Sequence, residues 1–155
     1  MFLTEENELQ KMFNHSFNDP VANILLKYSS LTPIQYETLI IDYITEYMTD
    51  NEFTIQNKTL YRSKIVSRGS FSRTLSQGRG KIISSLYTIL LLSYIGIFDT
   101  TPFDEFKNLS EKLSEYRNLV EISDYTESEQ LLLRIEKELL EGIRKLSTPG
   151  GLRVT

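Results

Sequence analysis

Cysteine is absent from this chain of 155 residues. That absence removes disulfides, thiolate metal sites and cysteine nucleophiles together, and it suits a reducing compartment. Histidine is almost absent as well, with His15 standing alone. A zinc site therefore has no ligand set. A serine triad would have to recruit His15, which falls in an expected loop between helices. Seven glycines and four prolines leave little material for long linkers. Carboxylates are plentiful, but they fall on helix exteriors, and Glu136, Glu138 and Glu141 read as a solvated face. The run Ser76-Gln77-Gly78-Arg79-Gly80-Lys81-Ile82 approaches a phosphate loop and fails. Leu75 stands where the first glycine belongs, and Ile82 where the hydroxyl belongs. The chain thus reads as a non-enzyme with no cofactor and no metal.

The N-terminal MFLTEENELQ has neither the basic nor the apolar region of a secretory leader, so a cytoplasmic protein is expected. The longest apolar run, Ile82 to Phe98, is interrupted by Ser84, Ser85, Thr88 and Ser93. It is shorter than the roughly 20 residues of a membrane span. It reads as a helix buried on most sides in a protein with no membrane partner.

The most informative absence is local. Between Phe53 and Phe98 there is no acidic residue, while seven basic ones occur: Lys58, Arg62, Lys64, Arg68, Arg73, Arg79 and Lys81. Residues 1–52 carry nine carboxylates against two lysines, and residues 99–155 carry twelve against eight Lys and Arg. The segment charges of −7, +7 and −4 sum to the net −4. Such asymmetry is an argument about partners, with a polyanion first in line. The same charges can instead balance the acidic flanks of the chain itself or of a partner subunit.

Periodicity predicts an all-α protein, a compact bundle of five to six helices forming one domain over 1–147, with 148–155 as a flexible tail. A first helix opens at Thr4 and runs to about Phe13. Asp19-Pro20 is an N-cap followed by proline at N1 and starts a second. Thr32-Pro33-Ile34-Gln35 is a capping box. The stripe Tyr36, Leu39, Ile40, Tyr43, Ile44 and Tyr47 follows it as the expected core face. Residues 49–68 fit a short hairpin near 52–62, a loop, or a loop plus one helix. A long central helix spans about 69–97, whole or broken near Gly78-Arg79-Gly80, with Gly96 as its C-cap. Thr101-Pro102 opens the next helix, whose stripe is Phe103, Phe106, Leu109, Leu113 and Tyr116. Thr126-Glu127-Ser128-Glu129 opens the last, whose stripe is Leu132, Ile135, Leu139, Ile143 and Leu146. The wide apolar arc of residues 127–147 suggests a dimerisation helix and hence a homodimer.

On the central helix, Phe71, Leu75, Ile82, Leu86 and Ile89 share about 60° of arc, and Arg73, Gln77, Lys81 and Ser84 lie opposite. Arginine and glutamine pair bidentately with guanine and adenine edges, while lysine and serine suit phosphate. The candidate nucleic-acid-binding set is Arg62, Lys64, Arg68, Ser70, Arg73, Gln77, Arg79 and Lys81. Arg73 and Gln77 are placed to read bases. The tyrosines at 36, 43 and 47 are core residues with hydroxyls at the rim, or else a stacking platform for a single strand.

Two stretches, Leu31-Thr32-Pro33-Ile34-Gln35-Tyr36-Glu37 and Ser67 to Phe98, resemble the helix-turn-helix and winged-helix regulators of prokaryotes. The second runs from a basic, hydroxyl-rich start to Leu90-Leu91-Leu92-Ser93-Tyr94-Ile95-Gly96-Ile97, similar to the exit from a recognition helix. The chain departs from that pattern in having no wing, a weakly marked second helix, and glycines inside a long third. The resemblance implies duplex DNA as partner and transcriptional regulation as role. The alternative is a non-catalytic adaptor or assembly subunit whose basic segment docks on an acidic partner.

Overall fold

Caps in the sequence fix most of the helix starts. Asp19 Oδ1 accepts from the backbone N–H groups of Val21 and Ala22 at 3.0 and 3.1 Å, and Pro20 follows at N1. Thr32 and Gln35 form the reciprocal capping box: the Gln35 N–H donates to Thr32 Oγ1 at 3.2 Å, and the Thr32 N–H to Gln35 Oε1 at 3.1 Å. Each bond satisfies an amide that the first turn would otherwise leave open.

The computed structural model describes residues 2–47, 50, 52–97 and 103–147. In chain order the helices are α1 (Phe2–Phe17), α2 (Pro20–Tyr28), α3 (Pro33–Tyr47), α4 (Ile55–Thr59), α5 (Arg68–Tyr94), α6 (Phe103–Ile122) and α7 (Tyr125–Ser147). There is no strand among the described residues. The all-α class holds, with seven helices among the described residues in place of five to six. The hairpin alternative at 52–62 gives way to α4, because the Thr54 hydroxyl accepts from the Asn57 N–H at 3.2 Å and starts a helical turn. α1 runs on to Phe17, so His15 sits in its last turn and not in a loop. The expected start at Thr101-Pro102 and the tail 148–155 lie outside the described residues.

α5 is continuous through Gly78 and Gly80. Ser67 caps it, its hydroxyl accepting from the Ser70 N–H at 3.2 Å. Gly96 ends it at φ +80°, where the Ile97 N–H reaches the Leu92 carbonyl at 3.0 Å. A side chain would be strained in that left-handed turn, and glycine is not. α7 starts earlier than expected. Asp124 is the cap, accepting from the Glu127 N–H at 2.9 Å, so the helix begins at Tyr125 and not at Thr126.

The chain divides into two compact units, residues 1–84 and 85–155. The core of the first is Leu9 and Phe13 of α1, Ile41 and Ile44 of α3, and Phe71 and Leu75 of α5. The Phe13 ring packs on Tyr61 at 4.9 Å. In the second unit α6 and α7 form an antiparallel pair closed over Leu113, Val120, Ile135 and Leu139. Ser128 Oγ ties the turn by donating to the Val120 carbonyl at 2.9 Å. No helix among the described residues is long and apolar enough to cross a membrane.

α3 buries only part of its apolar stripe, with Ile44 in the core and Leu39 and Ile40 packed against it, and turns a polar flank inward beside them. Gln35, Thr38, Ile41, Asp42, Ile44 and Thr45 are inside, whereas Tyr43 and Tyr47 are exposed and pack on each other at 5.4 Å. Polar groups can face inward here because each has a partner. Thr38 and Thr45 return their hydroxyls to the carbonyls of Ile34 and Ile41, at 2.8 and 2.7 Å. Asp42 is met by cations.

Candidate nucleic-acid interface

The basic segment is split into two populations by the acidic groups of α3. Asp42 is the hub. Its Oδ1 accepts from Lys58 Nζ at 2.9 Å, and its Oδ2 from Arg79 Nη2 at 2.6 Å. Glu46 takes a second ion pair from Lys58. Lys58 is only 4% exposed. Burial alone would push its amine below the ordinary lysine value, but the hydrogen bonds and charges of Glu46 and Asp42 outweigh it, and the net direction is upward. Arg62 is 8% exposed. Its Nε lies 3.3 Å from Glu37 Oε1, and its Nη1 donates to Thr38 Oγ1 at 3.1 Å. Glu37 also receives the Ser63 backbone N–H and, at 3.0 Å, the Ser63 hydroxyl. Lys81 Nζ donates to the Ser30 carbonyl at 2.5 Å. Four of the seven cations thus hold α4, the following turn and α5 onto the N-terminal helices. Arg62, expected among the phosphate contacts, faces the interior because Glu37 and Thr38 draw it there.

The other population points outward. Lys64, Arg68 and Arg73 are exposed, and none of the ion pairs among the described residues takes them up. In the first turns of α5 the buried positions Phe71, Leu75 and Gly78 share one face. At 100° per residue, Gly69, Arg73, Ser76, Gln77 and Gly80 occupy an arc of about 100° directly opposite. All five are exposed. Ser70, another expected contact, is half-buried on the flank.

The glycines of α5 separate by role. A Cβ on Gly78 would lie 3.0 Å from Leu39 Cδ1, so this residue lets α5 approach α3. Cβ atoms on Gly69 or Gly80 would meet nothing within 4 Å. Neither has a positive φ. The fold of the chain does not demand glycine at those two positions, where each weakens the helix by about 1 kcal/mol relative to alanine. They leave the backbone bare on either side of Arg73, Ser76 and Gln77.

The surface is chemically a helix face with one arginine, one amide and one hydroxyl, flanked by Lys64 and Arg68, on a firm apolar base. The sequence picks out Arg73 and Gln77 correctly as exposed. It does not mark Glu37, Asp42 and Glu46 as the clamp that removes other cations from the surface. The available signal was the −7 charge of residues 1–52 beside the +7 of the next segment. No family model matches the sequence, and no curated protein or solved structure is significantly similar to it.

Proposed function

We propose that this protein binds duplex DNA with the first three turns of α5 in the major groove, as a transcriptional regulator. The observation that carries this reading is the exposed arc opposite Phe71, Leu75 and Gly78, which holds Arg73, Ser76 and Gln77 between two bare glycines and has no carboxylate. Arg73 suits a guanine edge and Gln77 an adenine edge. Lys64 and Arg68, just before and at the helix start, suit phosphate. In the likeness to helix-turn-helix regulators, α5 takes the place of the helix that enters the groove.

The test is fluorescence anisotropy of a labelled random duplex at about 50 mM and about 200 mM salt. Three outward cations per copy give an expected loss of affinity of about 40-fold across that range. The double substitution Arg73→Ala/Gln77→Ala removes one of those three cations, so it weakens binding at low salt and lowers the salt slope by about one. Affinity that ignores salt, or that the double substitution leaves intact, rejects the reading. The protein would then be pursued as an adaptor whose Lys64, Arg68 and Arg73 meet an acidic protein surface.

A further inference from the structure

The second half of α5 is uncharged and, contrary to its expected burial, stands in water. Ile83, Tyr87, Leu90 and Tyr94 are spaced 4, 3 and 4 residues apart and fall within about 60° of arc, the spacing of a coiled-coil seam. Tyr87, Leu90 and Tyr94 are 67%, 62% and 87% exposed. Leu86 and Leu91 flank the seam and are exposed too. The seam with Leu86 and Leu91 leaves on the order of 700 Å² of side-chain surface in contact with water, close to the roughly 800 Å² that one partner contributes to a stable interface.

We propose that this seam pairs with the same seam of a second copy, antiparallel, about a two-fold axis at Thr88-Ile89. The occupant follows from the sequence of the seam. In the antiparallel register Tyr87 meets Leu90 of the second copy and Ile83 meets Tyr94, so each ring lies against an aliphatic side chain. Parallel pairing would instead stack tyrosine against tyrosine and leave the aliphatic layers short. A self-complementary patch of this kind is what a two-fold interface requires. The absence of charge from 82 to 97 leaves no feature suited to a charged partner. The interface lies on α5 and not, as the arc of residues 127–147 suggests, on α7. It does not depend on DNA binding.

The test uses the full chain without DNA. Sedimentation equilibrium at about 10 µM is expected to give about 36 kDa, twice the 18.0 kDa of one chain. Tyr87→Glu/Leu90→Glu is expected to give a single chain with unchanged helical circular dichroism, because both sites are exposed within one copy. Leu133→Glu, at an exposed position of α7, is expected to remain dimeric. The lack of native cysteine allows single thiols to report geometry. Tyr87→Cys and Leu90→Cys are expected to cross-link with a short bifunctional thiol reagent, and Ile83→Cys and Tyr94→Cys are not. Equal cross-linking at all four overturns the antiparallel register. A single-chain wild type, a dimer broken only by Leu133→Glu, or a single chain that floats with phosphatidylcholine vesicles overturns the interface. Loss of DNA binding in Arg73→Ala/Gln77→Ala with the dimer intact bears on the DNA reading alone.

Discussion

The two halves of α5 share one unbroken helix and follow opposite rules. The first half sets buried Phe71, Leu75 and Gly78 against an outer arc of Arg73, Ser76 and Gln77. Its anchoring is internal and complete: apolar residues fill the core, and Arg79 and Lys81 are tied on either flank. The second half carries more apolar side chains than the first, yet most are exposed. Hydrophobicity alone therefore does not decide burial within one chain. What decides it is whether neighbouring elements present a complementary face, as α1 and α3 do for the first half. An uncharged helix that is apolar over most of its surface is ordinarily buried on several sides, and large exposed apolar patches mark interaction sites.

Truncating one apolar side chain in each half of α5 separates the two kinds of anchoring. Phe71 has no exposed surface, and Phe71→Ala is expected to cost about 3–5 kcal/mol, the usual range for a buried phenylalanine. The loss should not depend on protein concentration, since the cavity forms inside one copy. Leu90→Ala is expected to change the stability of a single chain by less than about 0.5 kcal/mol. It should instead lower the thermal midpoint of the associated protein and make that midpoint less sensitive to concentration, because a smaller dimeric fraction is coupled to unfolding. Urea and thermal unfolding at two concentrations separate the outcomes. A large concentration-independent loss in Leu90→Ala would show that the second half is anchored within its own chain.

The next prediction concerns the cations. Removing the carboxylate in Asp42→Ala leaves Lys58 buried with Glu46 alone and releases Arg79. Breaking a buried ion pair costs about 3–5 kcal/mol. The lower end is expected here, about 3 kcal/mol, because Lys58 keeps one partner and the Arg79 side chain is more than half exposed. DNA affinity should move the other way. A freed Arg79 adds a cation beside the outer arc, so binding at low salt should tighten and the salt dependence should steepen by about one phosphate contact. A variant that is less stable and binds duplex more tightly would assign Asp42 two roles, holding the fold and limiting non-specific attraction.

This split explains how far the sequence could be read. The caps at Asp19, Thr32 and Gly96 were legible because they act over three or four residues and their chemistry is local. The face of α5 was legible around Arg73 and Gln77 because Phe71 and Leu75 mark the opposite side. The face of α3 was legible only in part. Hydropathy favoured Tyr36, Tyr43 and Tyr47, whereas the buried set includes Thr38, Asp42 and Thr45, whose polarity is met by carbonyls only three or four residues away and by cations 16 and 37 residues away. Pairing at that range leaves no periodic trace. The same pairing took Arg62 out of the candidate surface. For α7, Asp124 outcompeted the Thr126 box because its carboxylate already accepts from the Glu127 amide.

The smallest effect gives the finest test of the outer arc. Gly78 and Gly80 lie two residues apart in α5 and look equivalent in sequence, but only Gly78 has a neighbour. Gly80→Ala adds a methyl group to open space and should stabilise the chain by about 1 kcal/mol through helix propensity. Gly78→Ala gains the same propensity but sets its Cβ 3.0 Å from the tip of Leu39. That contact is tight enough that the leucine must shift, so the gain should be offset and the urea midpoint should not rise. If the bare backbone at Gly80 exists for the protein itself, its replacement has no cost beyond this. If it admits a groove wall or a phosphate, Gly80→Ala should be the more stable protein and the weaker binder, by several-fold at about 50 mM salt. A variant that gains stability with unchanged affinity would remove Gly80 from the contact surface and narrow that surface to Lys64, Arg68, Arg73 and Gln77.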